Sequence, residues 1–117
     1  MRNITPKAKI KKEADRLWYY KYLQPNCEVC GEPAIQVHHF YYKSSYGHLR
    51  YDKDNGISLC KKCHFLLHSQ DPKKITNKII AIRGNRWHNR LTKKSREPIK
   101  SGYLTLNYYY DIIKKLK

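Results

Sequence analysis

The residues in this 117-residue chain best suited to chemistry are four cysteines and a set of histidines that lie close to them in sequence. The cysteines form two C-x-x-C pairs, Cys27/Cys30 in "CEVC" and Cys60/Cys63 in "CKKC". Each pair can aim two sulfurs inward, and together they supply four thiolates, the complete tetrahedral shell of a structural zinc. Such a shell leaves no open position for a substrate, so the ion would hold structure. The competing reading is two unrelated redox or buried cysteine pairs, but paired C-x-x-C turns in a reducing compartment more often bind metal. The 29 residues between Cys30 and Cys60 are more than the most compact zinc fingers contain, so this insert must be a structural unit of its own.

The insert and its C-terminal border hold His38 and His39 side by side, Asn55, His64 and His68. His38 and His39 end an alternating run, "IQVHHFYYK". Neighbours in a strand point to opposite faces, so the two imidazoles face different surroundings. His64 and His68 are four residues apart on an expected helix, which puts them on one face about 6 Å apart along the axis. Two such imidazoles can approach one metal ion, and Cys63 just before His64 fixes where that helix begins. Each feature has a plainer reading: backbone-satisfied histidines at 38 and 39, a spare zinc ligand at 64, a surface residue at 68, and a simple Asn-Gly turn at Asn55. His48 and His88 have no partner at a telling spacing and read as surface or phosphate-contacting.

These residues need elements to position them. Thr5 before Pro6 is an N-cap signal, and a helix is expected from Pro6 to Leu23 with Ile10, Ala14, Leu17 and Trp18 on one face. "CEVCG" reads as a knuckle-like turn, Ala34–Tyr41 as a strand, residues 43–56 as a loop and Ile57–Leu59 as a short second strand. "CKKCHFLLH" reads as a helix ended by "QDP". Beyond it, Asp71 is the expected N-cap of a helix that starts at Pro72 and stops at Gly84. "NRWHNRLTKKS" reads as another helix. The tail "GYLTLNYYYDIIKKLK" reads either as a helix or as a strand running into one, because its tyrosines favour strands and its end favours helix.

The segments "VHHF" at Val37–Phe40, "DNGISLC" at Asp54–Cys60 and "KCHFLLH" at Lys62–His68, set between the two C-x-x-C pairs, closely resemble the HNH endonuclease family. The resemblance covers residues 27–68. It implies a small ββα-metal, treble-clef-like core with a four-cysteine zinc site; with the flanking N- and C-terminal helices read above, the expected class is α+β. It makes His39 the general base and Asn55 the residue that holds the connecting loop and orients that base. It makes His38 and His64 ligands of a catalytic divalent ion, with His68 a further ligand that only some members use. The implied cofactors are a structural Zn2+ on Cys27, Cys30, Cys60 and Cys63, and Mg2+ or another divalent ion such as Mn2+ on the histidines. The implied activity is metal-dependent hydrolysis of DNA phosphodiester bonds. Imidazole suits that chemistry, since with a pKa of about 6.5 it accepts a proton from water near neutral pH. "HHF", "LRYDKDNGISLC" and "RGNRWHNRL" are also similar to phrases in phage recombination nucleases of the NinG type, which implies branched or nicked DNA and a bacterial or phage-infected cell.

The charge pattern agrees with a nucleic-acid partner. The formal net charge of +16 sits in the flanks. Residues 1–26 carry seven Lys/Arg against two acids, residues 27–72 five against five, and residues 73–117 thirteen against two. One-signed flanks favour a polyanion. Lys73, Lys74, Lys78, Arg83, Arg86, Arg90, Lys93 and Lys94 are the candidate phosphate contacts, against the plainer reading of a solvated basic helix face. Tyr41–Tyr42 and Tyr108–Tyr110 read as core packing before base stacking. No apolar run approaches the roughly 20 residues of a membrane span, and the N-terminus lacks a signal peptide's apolar core, so a cytoplasmic protein with no membrane partner is expected. The length suggests a single domain, comprising a basic arm at 1–26, a zinc and histidine core at 27–70 and a basic helical extension at 71–117. Oligomeric state has no signal. The alternatives to an enzyme are a non-catalytic treble-clef binding module and a nuclease component active only within a larger phage assembly.

Overall fold

Thr5 starts the first helix as its type dictates: its Oγ1 accepts the Ala8 N–H at 3.1 Å, and helix α1 runs Pro6–Tyr22. The structure is a computed structural model that describes residues 5–43, 45–69 and 71–117. Residues 1–4 of the N-terminal arm, Ser44 in the expected loop and Gln70 at the expected helix stop lie outside the described residues. The remaining elements among the described residues are strand β1 (Gln36–His39), strand β2 (Gly56–Leu59), helices α2 (Lys61–Leu67), α3 (Pro72–Arg83), α4 (Asn85–Ser95) and α5 (Leu106–Leu116), and single 3-10 turns at Gly47–Leu49 and Lys53–Asn55. This is a mixed helical chain with one two-stranded antiparallel sheet. Among the described residues, no helix is long and apolar enough to cross a membrane.

The chain divides into two compact units, Met1–Lys21 with Pro98–Lys117, and Tyr22–Glu97. In the first, α1 buries Ala14 and Trp18, and α5 buries Tyr109 and Leu116. Lys21 Nζ reaches the Lys115 and Leu116 carbonyls, placing a cation at the negative end of α5. The tail is a turn followed by a helix, with no strand. Gly102 and Leu104 take positive φ, and Thr105 Oγ1 then caps α5 by accepting the Tyr108 N–H. A strand cannot pass through two left-handed residues so closely spaced.

The second unit carries the sheet. Its apolar cluster joins Leu49, Ile57, Leu59 and Leu67 to Ile75 and Ile79 of α3 and Trp87 and Leu91 of α4, along with Cys27, Cys60 and Cys63. Ile75/Ile79 and Trp87/Leu91 are i,i+4 pairs, so each helix offers one apolar stripe. α3 and α4 are therefore part of the packing around the cysteines, and the core extends well past residue 70. Gly84 turns the chain between them with φ of 96°, a conformation that a side chain would strain. Asp71 precedes α3 but makes no side-chain capping bond.

β1 is shorter than the Ala34–Tyr41 expected from sequence. After the Phe40 N–H bonds Asn55 O, backbone pairing gives way to a side chain: Tyr41 N–H and C=O both bond the Asn55 carboxamide, at 2.7 and 3.0 Å. The backbone groups that would extend the strand are thus satisfied elsewhere.

Candidate metal centres and the histidine pair between them

The cysteines come from two local turns. Cys27 and Cys30 sit on the knuckle, closed by Gly31 N–H to Cys27 O at 3.0 Å and Cys27 N–H to Glu32 O at 2.6 Å. Gly31 takes φ of 83°, as the turn requires. Cys60 is the N-cap of α2, its Sγ accepting the Cys63 N–H at 3.4 Å. The four sulfurs all lie within 4.8 Å of one another, and none is in a disulfide. Zinc–sulfur bonds of about 2.3 Å at tetrahedral angles place sulfurs about 3.8 Å apart. The donor set therefore fits a zinc ion. Burial works against the Cys27 thiolate, but backbone N–H groups at Cys30, Cys60 and Val29 outweigh it and bring the thiol down to about 7.

The second cluster is made of imidazoles. β1 pairs antiparallel with β2, His38 opposite Ile57 and His39 opposite Gly56. Consecutive strand residues alternate faces, so the two histidines diverge. The His38 ring lies 6.2 Å from that of His64 and 6.1 Å from that of His68, centroid to centroid. One ligand nitrogen from each of the three falls within a 4.8 Å group. His64 and His68 are closest, Nε2 to Nε2 at 2.9 Å. Two nitrogens bound at about 2.1 Å and at right angles on one ion would stand about 3.0 Å apart. Burial, then the neighbouring His64, His68 and His39, pushes His38 down to about 4; burial and His68 also lower His64. Both shifts favour the neutral imidazole, the form that binds metal.

His39 turns to another partner. Its Nε2 lies 2.9 Å from the Arg50 carbonyl oxygen. A carbonyl only accepts, so Nε2 carries the proton and Nδ1 the lone pair. Gly56 opposite it contributes no side chain to that face. The Leu49–Arg50 segment is in turn held by Asn55, which is fully buried. Asn55 Nδ2 donates to Leu49 O at 3.2 Å as well as to Tyr41 O, and Asn55 O accepts the Phe40 N–H at 2.9 Å. One side chain thereby ties the end of β1 to the segment that supplies His39's acceptor.

The basic residues divide into two groups. Lys73, Lys74 and Lys78 on α3, and Arg86 and Lys93 on α4, are exposed. Arg83, Arg90 and Lys94 are engaged within the protein. Arg83 forks onto Glu28 at 2.8 and 2.7 Å, Arg90 meets Asp54 at 3.2 Å, and Lys94 meets Asp52 and Asp54 at 3.0 and 3.2 Å. For Asp54, burial favours the neutral form, yet Arg90 and Lys94 overcome it and hold the carboxyl below its usual range. His48, expected at the surface, is half-buried with Nε2 3.2 Å from the carbonyls of Lys94 and Ser95 at the end of α4. Tyr41 packs inward with its hydroxyl 2.7 Å from Thr92 Oγ1, whereas Tyr42 stays exposed with its ring 6.0 Å from His38. Glu28, Trp87 and the Asp52/Asp54 pair lie within the quoted motifs, but nothing in those motifs assigns them a partner. Each takes its partners from residues distant in sequence.

A family model described as HNH endonuclease matches residues 27–70. No curated protein and no solved structure matches the chain. The matched segment contains both cysteine pairs, His38, His39, Asn55, His64 and His68, whereas α3 and α4 lie beyond it. Residues 27–70 are thus similar to the HNH endonuclease family, a likeness that points to nuclease activity on a nucleic-acid substrate.

Proposed function

We propose that the protein is a metal-dependent DNA endonuclease that hydrolyses phosphodiester bonds. The observation that carries this reading is the divergence of two adjacent imidazoles. His38 faces His64 and His68, while His39 is fixed on the Arg50 carbonyl by Nε2–H, which leaves the lone pair on Nδ1. His39 Nδ1 takes a proton from a water as its oxygen bonds to phosphorus, the bond from phosphorus to the 3′ oxygen breaks, and the departing oxygen is protonated from solvent. A divalent cation held by His38, His64 and His68 would neutralise the charge that builds on the phosphate and the leaving oxygen. Asn55 keeps His39 aligned through Leu49 and Arg50. The four cysteines hold zinc and anchor the knuckle to the start of α2, an arrangement like a treble clef with the ββα unit built on it. Lys73, Lys74, Lys78, Arg86 and Lys93 supply phosphate contacts that position the DNA without reading its sequence.

The test is incubation of the full chain with supercoiled, linear, single-stranded and four-way DNA in Mg2+ or Mn2+. Cleavage of at least one form, abolished by a chelator, is expected. Preference for the four-way form would make branched DNA the substrate. Binding without cleavage on every form and in both metals would leave a nucleic-acid-binding module and overturn the nuclease reading.

A further inference from the structure

Arg83 read as a phosphate contact from sequence, yet its guanidinium makes four bonds inside the protein. Nε and Nη2 form a two-pronged ion pair with Glu28 at 2.8 and 2.7 Å, Nη2 also donates to Gly56 O at 2.7 Å, and Nη1 donates to Asp54 O at 3.2 Å. Its Cζ lies 5.0 Å from the Trp87 ring centroid, and Trp87 Nε1 donates to the same Asp54 carbonyl at 2.8 Å. Asp54 and Gly56 are the two neighbours of Asn55. Arg83 and Trp87 thus hold the carbonyls on either side of the asparagine. The ion pair with Glu28 ties the same clamp to the residue that follows Cys27.

We propose that Arg83, anchored by Glu28 and assisted by Trp87, is a positioning residue that sets the His39 imidazole through Asn55. The route alternates hydrogen bonds with single steps along the chain. Arg83 fixes the peptides around Asn55; Asn55 Nδ2 holds Leu49 O; and the next carbonyl, Arg50 O, receives His39 Nε2–H. Gly56 is also the register partner of His39, so a shift of its carbonyl moves the strand pair itself. The guanidinium suits this task because a rigid fork can meet a carboxylate and two carbonyls at once, which an ammonium cannot. With side-chain exposures of 21% for Arg83 and 23% for Glu28, the pair is shielded from most of the solvent. The clamp lies on α3 and α4, outside the segment that matches the family.

The proposal rests on the nuclease reading only for its activity readout. Arg83→Lys keeps the charge and loses the fork. In the folded variant, kcat for DNA cleavage should fall about 10–100-fold, the usual cost of disturbing an outer support. KM and the salt dependence of DNA binding should stay as in wild type. The ring 15N signals of His39, which should report a single Nε2–H tautomer in wild type, should move toward a mixture of tautomers. Arg83→Lys keeps the charge that a phosphate contact would need, so Arg83→Gln completes the comparison: loss of a phosphate contact would lower the slope of log K against log salt by about 0.9 with kcat unchanged. That result would overturn the proposal. Wild-type kcat and wild-type His39 signals in folded Arg83→Lys would also overturn it, leaving a purely structural ion pair. If neither Arg83 variant folds, Trp87→Phe, which keeps the bulk and deletes only the Nε1–H bond to Asp54, decides by the same kcat and tautomer readouts. If wild type cuts no DNA, the nuclease reading fails, and the His39 signals alone still decide whether Arg83 sets that imidazole.

Discussion

At the scale of single residues, His38 and His39 differ only in the face of a short strand each occupies, and that difference separates their proposed roles. His39→Ala should leave zinc content and DNA binding intact and lower cleavage by about 10²–10⁴-fold, the scale of a general base. His64→Ala removes a proposed metal ligand from the other face, so part of its defect should disappear at high Mn2+ by mass action on a weakened site. Cleavage assays of both variants across a Mn2+ titration separate the roles. Wild-type cleavage by His39→Ala, or equal rescue of both by manganese, would reverse the assignment. Asn55 belongs to the same scale: all of its side-chain polar atoms are committed to Tyr41 and Leu49, so its carboxamide ties Tyr41 to the residue just before His39's acceptor, Arg50.

At the scale of elements, α4 is fastened to the loop before β2 by ion pairs. Arg90 and Lys94 meet Asp54, Lys94 meets Asp52, and His48 meets the last carbonyls of α4. Asp54 is held below its usual range in the folded chain, so its folded pKa is lower than its unfolded one. Its contribution to stability is therefore present above the unfolded value of about 3.9 and is lost as pH falls through the folded value. Arg90 is 54% exposed, and salt should weaken its share. Urea unfolding of wild type and Asp54→Asn from pH 7 down to pH 2 should show wild type more stable at neutral pH and the two curves converging in acid. A gap that widens in acid would contradict the pairing. α2 depends on the cysteine cluster in a similar way, because its N-cap is Cys60. Metal analysis should find about one tightly held zinc per chain. A chelator should remove cleavage before it removes helical circular dichroism, since four thiolates hold an ion more firmly than three imidazoles do. Metal-free protein that stays fully folded would show that the cysteines stabilise nothing.

At the scale of the whole molecule, a net charge of +16 predicts that binding to the proposed DNA substrate is steeply salt-dependent. The exposed lysines of α3 are the direct test, because α3 itself buries Ile75 and Ile79 and cannot be removed without opening the core. Replacing Lys73, Lys74 and Lys78 with alanine should preserve the fold, raise the dissociation constant and lower the salt slope by about 0.9 for each lost phosphate contact. Binding isotherms at several salt concentrations measure both. An unchanged slope would move the DNA-binding surface away from α3.

The sequence by itself determined the local parts of the two clusters, whereas the meeting of the two C-x-x-C turns, and of His38 with His64 and His68, came from the fold. A C-x-x-C turn brings its own sulfurs together, and an i,i+4 pair such as His64 and His68 shares a helix face whatever surrounds it. The alternation that separates His38 from His39 is equally local, and so are the Thr5 cap and the Gly84 stop. Tertiary structure decided the fate of groups whose partners lie far along the chain. Arg83 and Lys73 look alike in sequence, but only Arg83 meets a carboxylate, that of Glu28, 55 residues away. A cation is solvated or committed according to what folding places opposite it, and no local pattern carries that information. For the same reason Asn55 read as no more than a turn residue, apart from the family resemblance, until its carboxamide was seen bridging Tyr41 and Leu49. The end of β1 was also set at that bridge, because a backbone pair satisfied by a side chain has nothing left to offer a neighbouring strand.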